Sequence, residues 1–372
     1  MPMLKTGLII SKLNELNWAR NLLRPYTKRA YIVGGSVRDI FLGKKITDFD
    51  IEIYDISPDK FDELMSQYGA SGVGKSYFVY KLSGFDLSLP RMENKVGEGH
   101  KAFDVSYCND EKSASMRRDF TVNSIMINIF DDKILDFWGG LDDIKKGVLR
   151  HIDDEKFFED SLRVLRGIQF SARFDFKISQ KTLNLMKTIN LKDLSKDRIS
   201  GEMLKLFNAK FQSTGAKYLY KLGLFKELFG LNLNKNQLIK FQKKLTSVRK
   251  FKKDQKEFLY LLREFGLQER VVKDLNLPNS FISVFREPFF KGRVSDKDLL
   301  RIAIKMPLRD WLGLNSASLV RRAKKFGIYD SRFEPLINID EILRAGFKNE
   351  AIGAEILRRQ NLAIDEFLKN KF

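Results

Sequence analysis

Two acidic residues near the start of the chain have a spacing that suits metal binding. Asp48 and Asp50 alternate with apolar Phe49 and Ile51, so on a strand both carboxylates point to the same face. Adjacent carboxylates repel each other unless a cation lies between them, and hard oxygen ligands suit Mg²⁺. We therefore expect a metal site at Asp48 and Asp50, with Asp86 as a third carboxylate.

A glycine turn precedes this acidic pair. Residues 31–43 read Tyr-Ile-Val-Gly-Gly-Ser-Val-Arg-Asp-Ile-Phe-Leu-Gly, which predicts a buried strand, a turn at Gly34 and Gly35, and a helix that carries Arg38. Glycine allows backbone N–H groups to approach a phosphate, and a helix N-terminus with a nearby cation favours an anion. Joined to the acidic pair, the turn indicates a metal-dependent site for nucleotidyl transfer.

Two further motifs place charged residues where a nucleotide could bind. In residues 116–124, Arg118 can pair bidentately with phosphate and Asp119 can accept hydrogen bonds from ribose hydroxyls. In residues 158–166, three charged residues recur at three-residue spacing, which places them along one helix face: Asp160, Arg163 and Arg166. A carboxylate beside a guanidinium can match the base edge of cytosine or adenine. Structural ion pairs are the alternative interpretation of both motifs.

The combined pattern resembles that of a known family. The form G-G-x-V-R-D-x-x-L-G followed by D-x-D is similar to the signature of class II CCA-adding tRNA nucleotidyltransferases and their poly(A) polymerase relatives, within the DNA polymerase β superfamily. Residues 116–124 resemble the family block R-R-D-F-T-x-N, and residues 158–166 resemble E-D-x-x-R-x-x-R. Residues 194–202 resemble a third block, with Asp197 in place of glutamate. The resemblance covers most of the chain and is specific in the first 200 residues.

The resemblance implies an enzyme that adds CCA to tRNA 3′ ends without a template, from CTP and ATP, with release of pyrophosphate. It implies two Mg²⁺ ions at the acidic pair and binding of the tRNA acceptor stem and 3′ end. The implied nucleotide-binding residues, which hold triphosphate, ribose or base, are Gly34, Gly35, Arg38, Arg118, Asp119, Asp160, Arg163, Arg166 and Gln169. Gln169 departs from the family pattern, which commonly has a third arginine there.

The positive charge of the chain is concentrated after residue 150. The formal net charge is +19, but residues 1–150 hold 22 basic and 21 acidic residues. Residues 201–253 carry 13 lysines and arginines against two acids. A basic segment forms either a solvated helix face or a polyanion-binding surface. Behind a near-neutral half that carries the chemistry, it favours a region that binds RNA through its phosphates.

The apolar spacing predicts an α+β protein in four parts. Residues 1–24 are predicted as a helix, and six strands are predicted at 30–33, 49–54, 77–82, 85–89, 103–107 and 125–130. The connections are too short for successive parallel crossovers, so we expect a mixed or antiparallel sheet. Helical spacing continues from Asp153 to Phe372. The predicted parts are a nucleotidyltransferase head (1–150), a base-recognising helical neck (151–215), and a helical body (216–290) and tail (291–372) that bind RNA.

Several other classes of protein are disfavoured. The single cysteine, Cys108, allows no intrachain disulfide, and two histidines are too few for a histidine-ligated phosphohydrolase domain. Residues 69–76 match the P-loop pattern, but a predicted helix precedes them and a predicted strand follows, the reverse of a P-loop. No apolar run approaches a membrane span and no signal-peptide core is present. We expect a cytoplasmic protein without a membrane or an implied protein partner.

Three rival functions remain open at this point. A relative with narrower chemistry would add only CC, only A, or poly(A). Residues 74–82 are similar to the CCA-adding type, whereas the poly(A) type usually has a basic G-R-R-F run there. A rival of another class is a catalytically silent RNA-binding protein, which the intact acidic pair disfavours. A dinucleotide-binding oxidoreductase is disfavoured because the turn lacks G-x-G-x-x-G.

Overall fold

The computed structural model describes residues 10–44, 46, 49–74, 78–95, 103–248 and 254–370. The chain folds into two compact units, Met1–Glu202 and Met203–Phe372. The first unit holds the strands of the described residues: β1 (Ala30–Ile32), β2 (Phe49–Ile53), β3 (Ser71–Gly74), β4 (Val79–Leu82), β5 (Phe85–Ser88), β6 (Arg91–Lys95), β7 (Phe103–Tyr107), β8 (Met126–Asn128), β9 (Ile134–Leu135), β10 (Val148–Leu149) and β11 (Lys177–Ile178).

The main sheet is mixed, one of the two arrangements, mixed or antiparallel, that the short connections predicted. Among the described residues its strand order is β3-β4-β5-β2-β1-β8-β9. β2 runs parallel to β5, and the other neighbours are antiparallel. β6 and β7 form a separate antiparallel hairpin, and β10 pairs in parallel with β11.

Helices follow and surround the strands. Those of the first unit are α1 (Asn17–Leu23), α2 (Gly35–Phe41), α3 (Pro58–Gln67), α4 (Glu111–Met116), α5 (Gly140–Lys146), α6 (Asp154–Phe158), α7 (Leu162–Phe174) and α8 (Gln180–Met186), with α9 (Lys196–Phe207) at the boundary. Those of the second unit are α10 (Gln212–Lys221), α11 (Leu224–Phe229), α12 (Lys235–Val248), α13 (Glu257–Leu262), α14 (Arg270–Asp274), α15 (Ser283–Arg286), α16 (Asp296–Lys305), α17 (Ala317–Lys325), α18 (Ile339–Arg344) and α19 (Glu350–Asn370).

Each unit has a core of its own. In the first, Tyr31, Tyr54 and Met126 pack on one side of the sheet with Ala114 of α4. In the second, a cluster of phenylalanine side chains joins α9, α12 and α13, and the ring centroids of Phe241 and Phe258 lie 5.1 Å apart. A further cluster around Trp311 joins α16, α17 and α19. Among the helices that the structure describes, none combines the length and the apolar character that a membrane span requires.

The local structure confirms the predicted class and refines several elements. Residues 10–23 are helical, but two short 3-10 turns precede α1. β3 and β6 were not predicted, because their sequences, Ser-Gly-Val-Gly and Arg-Met-Glu-Asn-Lys, have no clear apolar alternation; both are strands through pairing with β4 and β7. α3 precedes the P-loop-like segment, and β3 occupies its described part, so the order of elements is not that of a P-loop.

Candidate active site

Strands β2 and β5 place two aspartates side by side. Asp50 is in register with Asp86, and directly paired residues of neighbouring strands project from the same face of a sheet. The next pair, Phe49 and Phe85, therefore projects from the opposite face, with ring centroids 5.7 Å apart. Asp86 is half-exposed, and Lys81 Nζ lies 3.3 Å from its Oδ1. The sheet thus brings two predicted metal ligands, 36 residues apart in sequence, onto one face.

Asp48, the other predicted metal ligand, lies outside the described residues. Within the described ranges, no group of three or more His, Cys, Asp and Glu side chains is arranged to hold a metal ion. Asp50 and Asp86 nevertheless supply carboxylate oxygens, the donor type that a hard divalent cation prefers. The chemistry of this donor pair fits such a cation.

The glycine turn connects β1 to α2 beside Asp50. Gly34 is the N-cap of α2 with a φ of +71°, in the region that favours glycine. A Cβ atom built on Gly34 would lie 3.6 Å from Asp50 Oδ2 and 3.5 Å from Arg118 Nη1. A carboxylate of the predicted metal site and the guanidinium predicted to bind phosphate therefore both reach this turn.

Arg38 lies beneath the turn and not on its surface. Its side chain is buried, with Nε and Nη2 donating to Asp39 Oδ1 at 3.0 and 2.9 Å and Nη1 donating to Asn123 Oδ1 at 2.6 Å. Its guanidinium also lies 4.5 Å from the ring centroid of Phe174. Burial lowers the pKa of Arg38, and Asp39 opposes that shift. These contacts make Arg38 a brace between α2, residues 121–123 and α7.

Glu52 is a buried site residue that the sequence analysis missed. It follows Asp50 by two positions on β2 and is 1% exposed. Oε1 accepts from the Tyr54 hydroxyl at 2.7 Å, while Oε2 accepts from Arg117 Nη2 at 2.8 Å and from Arg118 Nη2 at 3.1 Å. Burial opposes ionisation, but Arg117 and Arg118 hold the pKa of Glu52 below its ordinary value. The signal for it was the continuation of the acidic alternation from Asp50 to Glu52.

Arg91 and Glu93 of β6 extend this group into an arginine cluster, which we define as Arg91, Arg117 and Arg118 with Glu52 and Glu93. Arg91 Nε donates to Glu93 Oε1 at 2.8 Å, and Arg117 Nη1 lies 3.7 Å from the same oxygen. Burial and the neighbouring Arg117 lower the pKa of Arg91 to about 10. The cluster holds three guanidinium groups and two carboxylates, so it carries an excess positive charge beside the glycine turn.

Asp119 fixes an arginine of α7. Its Oδ2 accepts from Arg166 Nε at 2.7 Å, and its Oδ1 accepts from the Phe120 backbone N–H and from Asn123 Nδ2, both at 2.8 Å. Although burial opposes ionisation, Arg166 and Asn123 keep the pKa of Asp119 below its ordinary value. Both carboxylate oxygens are thus engaged within the protein. The predicted ribose contact of Asp119 stays a prediction.

The other predicted base-reading residues lie around the start of α7. Arg163 Nη2 donates to the Arg117 carbonyl at 2.6 Å, whereas its buried Nη1 has no hydrogen-bond partner in the described part of the chain. Asp160 precedes the helix, and both its oxygens lie 3.0 Å from Arg198 Nη2. Gln169, which replaces the usual arginine, is buried, and its Oε1 has no partner among the described residues. Arg163 and Arg166 therefore converge on residues 117–119, while Arg198 holds Asp160.

Two family models match the chain. The model described as the poly A polymerase head domain matches residues 30–150, and the model described as a probable RNA and SrmB-binding site of polymerase A matches residues 175–233. Among curated relatives, the multifunctional CCA protein of Nitrosospira multiformis is 41% identical over 163 residues, covering 42% of this chain and 38% of the relative. The CCA-adding enzyme of Buchnera aphidicola subsp. Cinara cedri is 33% identical over 266 residues, covering 69% and 62%. The chain thus spans less than two thirds of the length of these relatives.

Solved structures share the fold along nearly the whole chain. The crystal structure of the Bacillus stearothermophilus CCA-adding enzyme in complex with CTP superposes with a TM-score of 0.63 at 21% identity, covering 92% of each chain. A tRNA nucleotidyltransferase complexed with a primer tRNA and an incoming ATP analog superposes with a TM-score of 0.57 at 22% identity, covering 75% of this chain and 82% of that one.

Residues 30–150 thus match a poly A polymerase head domain, and the sheet-containing head with its largely helical remainder has the fold of the solved CCA-adding enzyme. The matched regions and the curated relatives agree with the resemblance that the motifs predicted, to the CCA-adding enzymes and poly(A) polymerases.

Proposed function

We propose that this chain is a template-independent tRNA nucleotidyltransferase that adds CCA to tRNA 3′ ends from CTP and ATP and releases pyrophosphate. The observation that carries the proposal is the convergence at Gly34 of Asp50 Oδ2 and Arg118 Nη1 within a poly A polymerase head domain. A metal-binding carboxylate and a phosphate-binding guanidinium are the two groups that nucleotidyl transfer requires side by side.

The acidic face of β2 and β5 supplies the metal ligands in this proposal. Asp48 and Asp50 would hold two Mg²⁺ ions, with Asp86 as a third carboxylate. Asp50 and Asp86 lie on one sheet face, where carboxylate oxygens can share divalent cations. When bound, such cations would lower the pKa of the attacking 3′-hydroxyl and neutralise charge at the α-phosphate and the leaving pyrophosphate.

The glycine turn and the arginine cluster bind the triphosphate. Gly34 and Gly35 leave room for phosphate oxygens at the backbone. Arg118, whose Nη1 lies at the same turn as Asp50 Oδ2, donates hydrogen bonds to these oxygens. Arg38 supports the turn from below through Asn123 and Asp39.

Helix α7 recognises the base. Arg163 Nη1 is a buried donor without a hydrogen-bond partner among the described residues, and in this proposal it bonds to a base acceptor, while Arg198 orients Asp160 to accept from an exocyclic amine. Asp119 sets the direction of Arg166. Gln169 supports this helix from the interior, a role that replaces the contact expected of an arginine.

The second unit binds the acceptor stem of the tRNA through its phosphates. The high density of lysine and arginine in residues 201–253 favours this role, as does the exposed pair Lys291 and Arg293, which has no ion-pair partner in the described residues. The division into head (1–150), neck (151–215), body (216–290) and tail (291–372) is part of this proposal, and the cytoplasmic location stays a prediction.

The decisive experiment supplies a tRNA that lacks its CCA end with CTP alone, ATP alone, or both, and reads the product length on a sequencing gel. Growth by two nucleotides with CTP and by three only with both supports CCA addition. A stop after two under every condition supports a CC-adding enzyme, and long runs of A support a poly(A) polymerase. Absence of any incorporation with bound tRNA supports a catalytically silent RNA-binding protein.

A further inference from the structure

The buried carboxylate of Glu52 is fully engaged with donors from three residues. Both of its oxygens accept hydrogen bonds, from Tyr54 on one side and from Arg117 and Arg118 on the other. Burial and the neighbouring Glu52 raise the pKa of Tyr54, so that its hydroxyl stays protonated and continues to donate. A buried ion pair of this kind adds little net stability over apolar side chains of the same volume. The carboxylate of Glu52 therefore acts mainly by holding Arg117 and Arg118 in position.

Arg118 has two ends with different surroundings. Its Nη2 donates to Glu52, while its Nη1 lies beside Gly34, near Asp50 Oδ2. Among the described residues, the charge of Arg118 interacts with the carboxylates of Glu52 and Asp50, and Glu52 has the larger effect on the pKa of Arg118. If Glu52 were neutral, Asp50 would be the described carboxylate that still attracts this guanidinium.

The position of Arg118 depends on the charge of Glu52 because other charged groups surround the two side chains. Glu93, the other carboxylate of the arginine cluster, lies against Arg91 and Arg117. Removal of the charge on Glu52 leaves one carboxylate for three guanidinium groups in a buried region, where mutual repulsion is strong. Arg118, which borders the turn, is the member of the cluster that can relieve this repulsion by moving toward Asp50.

We propose that Glu52 is a positioning residue that holds Arg118 in place to bind the nucleotide phosphates and keeps it from pairing with the metal-binding Asp50. This inference rests on the proposed nucleotidyltransferase function. It adds to that function a residue that touches neither nucleotide nor metal but acts through Arg118.

The test is Glu52→Gln, which keeps the size of the side chain and removes its charge. Binding of CTP with Mg²⁺ to the full chain, measured by calorimetry without RNA, is expected to weaken about ten- to hundredfold, the size of one lost charge-assisted hydrogen bond. In incorporation assays, KM for CTP and the half-saturating Mg²⁺ concentration are both expected to rise, with a smaller change in kcat. A higher KM for CTP indicates that Arg118 no longer donates to the phosphates. A higher half-saturating Mg²⁺ concentration indicates that Arg118 competes with the metal for Asp50.

Glu111→Gln is the matched control. Glu111 accepts from Arg29 Nε at 2.9 Å and from the Tyr31 hydroxyl at 3.0 Å, the same donor types as those of Glu52, but it does not contact Arg118. Equal loss of thermal stability in the two variants, with weakened CTP binding only in Glu52→Gln, supports positioning. If Glu52→Gln bound CTP as tightly as the wild type, the positioning role of Glu52 would be wrong. The proposed nucleotidyltransferase function would still stand in that case, provided that the wild-type chain incorporates nucleotides. A wild-type chain that binds no CTP and incorporates nothing would instead contradict the function itself.

Discussion

At the scale of single residues, burial separates Arg38 from Arg118, two motif arginines that were both predicted to bind the nucleotide. Arg38 is buried, and its N–H groups donate hydrogen bonds to Asp39 and Asn123. Arg118 keeps one end at the glycine turn beside Asp50. Because a guanidinium without a nearby carboxylate is costly to bury, each of these side chains has an acidic partner. Similar motif arginines thus have different tasks, which only their contacts reveal.

Asp50→Asn tests the carboxylate of β2. The substitution preserves shape but removes the charge that would hold a divalent cation, so incorporation is expected to fall by more than about a hundredfold. Binding of tRNA, measured by filter retention, should stay at the wild-type level because the proposed function assigns RNA binding to the second unit. Asp104→Asn changes an exposed aspartate of β7, is the control and should keep full activity. Loss of tRNA affinity in Asp50→Asn would contradict the separation of chemistry from RNA binding.

At the scale of elements, the strand register and one helix assemble the site. The parallel pairing of β2 with β5 sets Asp50 beside Asp86. Helix α7 carries Arg163 and Arg166 to residues 117–119, which follow α4. A register shift by one residue in β5 would send Asp86 to the opposite face. The site therefore depends on the pairing of elements as much as on the residues they carry.

Arg163→Ala tests the recognition role of α7. We expect discrimination between CTP and UTP to fall by at least about tenfold, since a lost hydrogen bond from a charged donor has that size. The measurement is the ratio of kcat/KM for the two nucleotides on tRNA that lacks its CCA end. Arg173→Ala on the same helix, whose guanidinium lies 5.0 Å from the Phe174 ring centroid, is the control and should keep the ratio. Slower turnover with every nucleotide at an unchanged ratio would argue against base recognition by Arg163.

At the scale of the whole molecule, charge is divided unevenly along the chain. The first 150 residues are close to neutral, and the remainder carries most of the net charge of +19. Lys291 and Arg293 are exposed at a cavity of about 290 Å³ within the second unit. Exposed cations release counterions from RNA when they meet phosphates, and this produces a salt-dependent affinity without base specificity.

The double variant Lys291→Gln/Arg293→Gln tests this distribution of charge. The tRNA affinity is expected to fall at low salt, and the slope of log Kd against log salt concentration to decrease by about 1.5, the effect of two lost phosphate contacts. Lys60→Gln/Lys146→Gln removes two exposed lysines of the head and serves as the charge-matched control. Identical salt slopes for the two double variants would show that the position of the charge does not matter.

The sequence by itself determined the resemblance to a family, the fold class and the candidate residues. The glycine turn, the acidic alternation and the arginine motifs are local patterns, because the chemistry needs particular side chains at particular spacings. The switch from strand to helical periodicity near residue 150 is equally local. The lengths of the connections limited the sheet to a mixed or antiparallel one, and the parallel pairing of β2 with β5 makes it mixed.

Only the tertiary structure decided which of these residues meet and which support others. Glu52 lies under Arg118, Arg38 is enclosed, and Asp119 is engaged with Arg166. The hydrogen bond between Glu52 and Arg118 joins residues 66 positions apart, and the one between Arg38 and Asn123 joins residues 85 positions apart. The burial that makes a carboxylate a brace depends on every element packed around it, and no spacing along the chain records that packing.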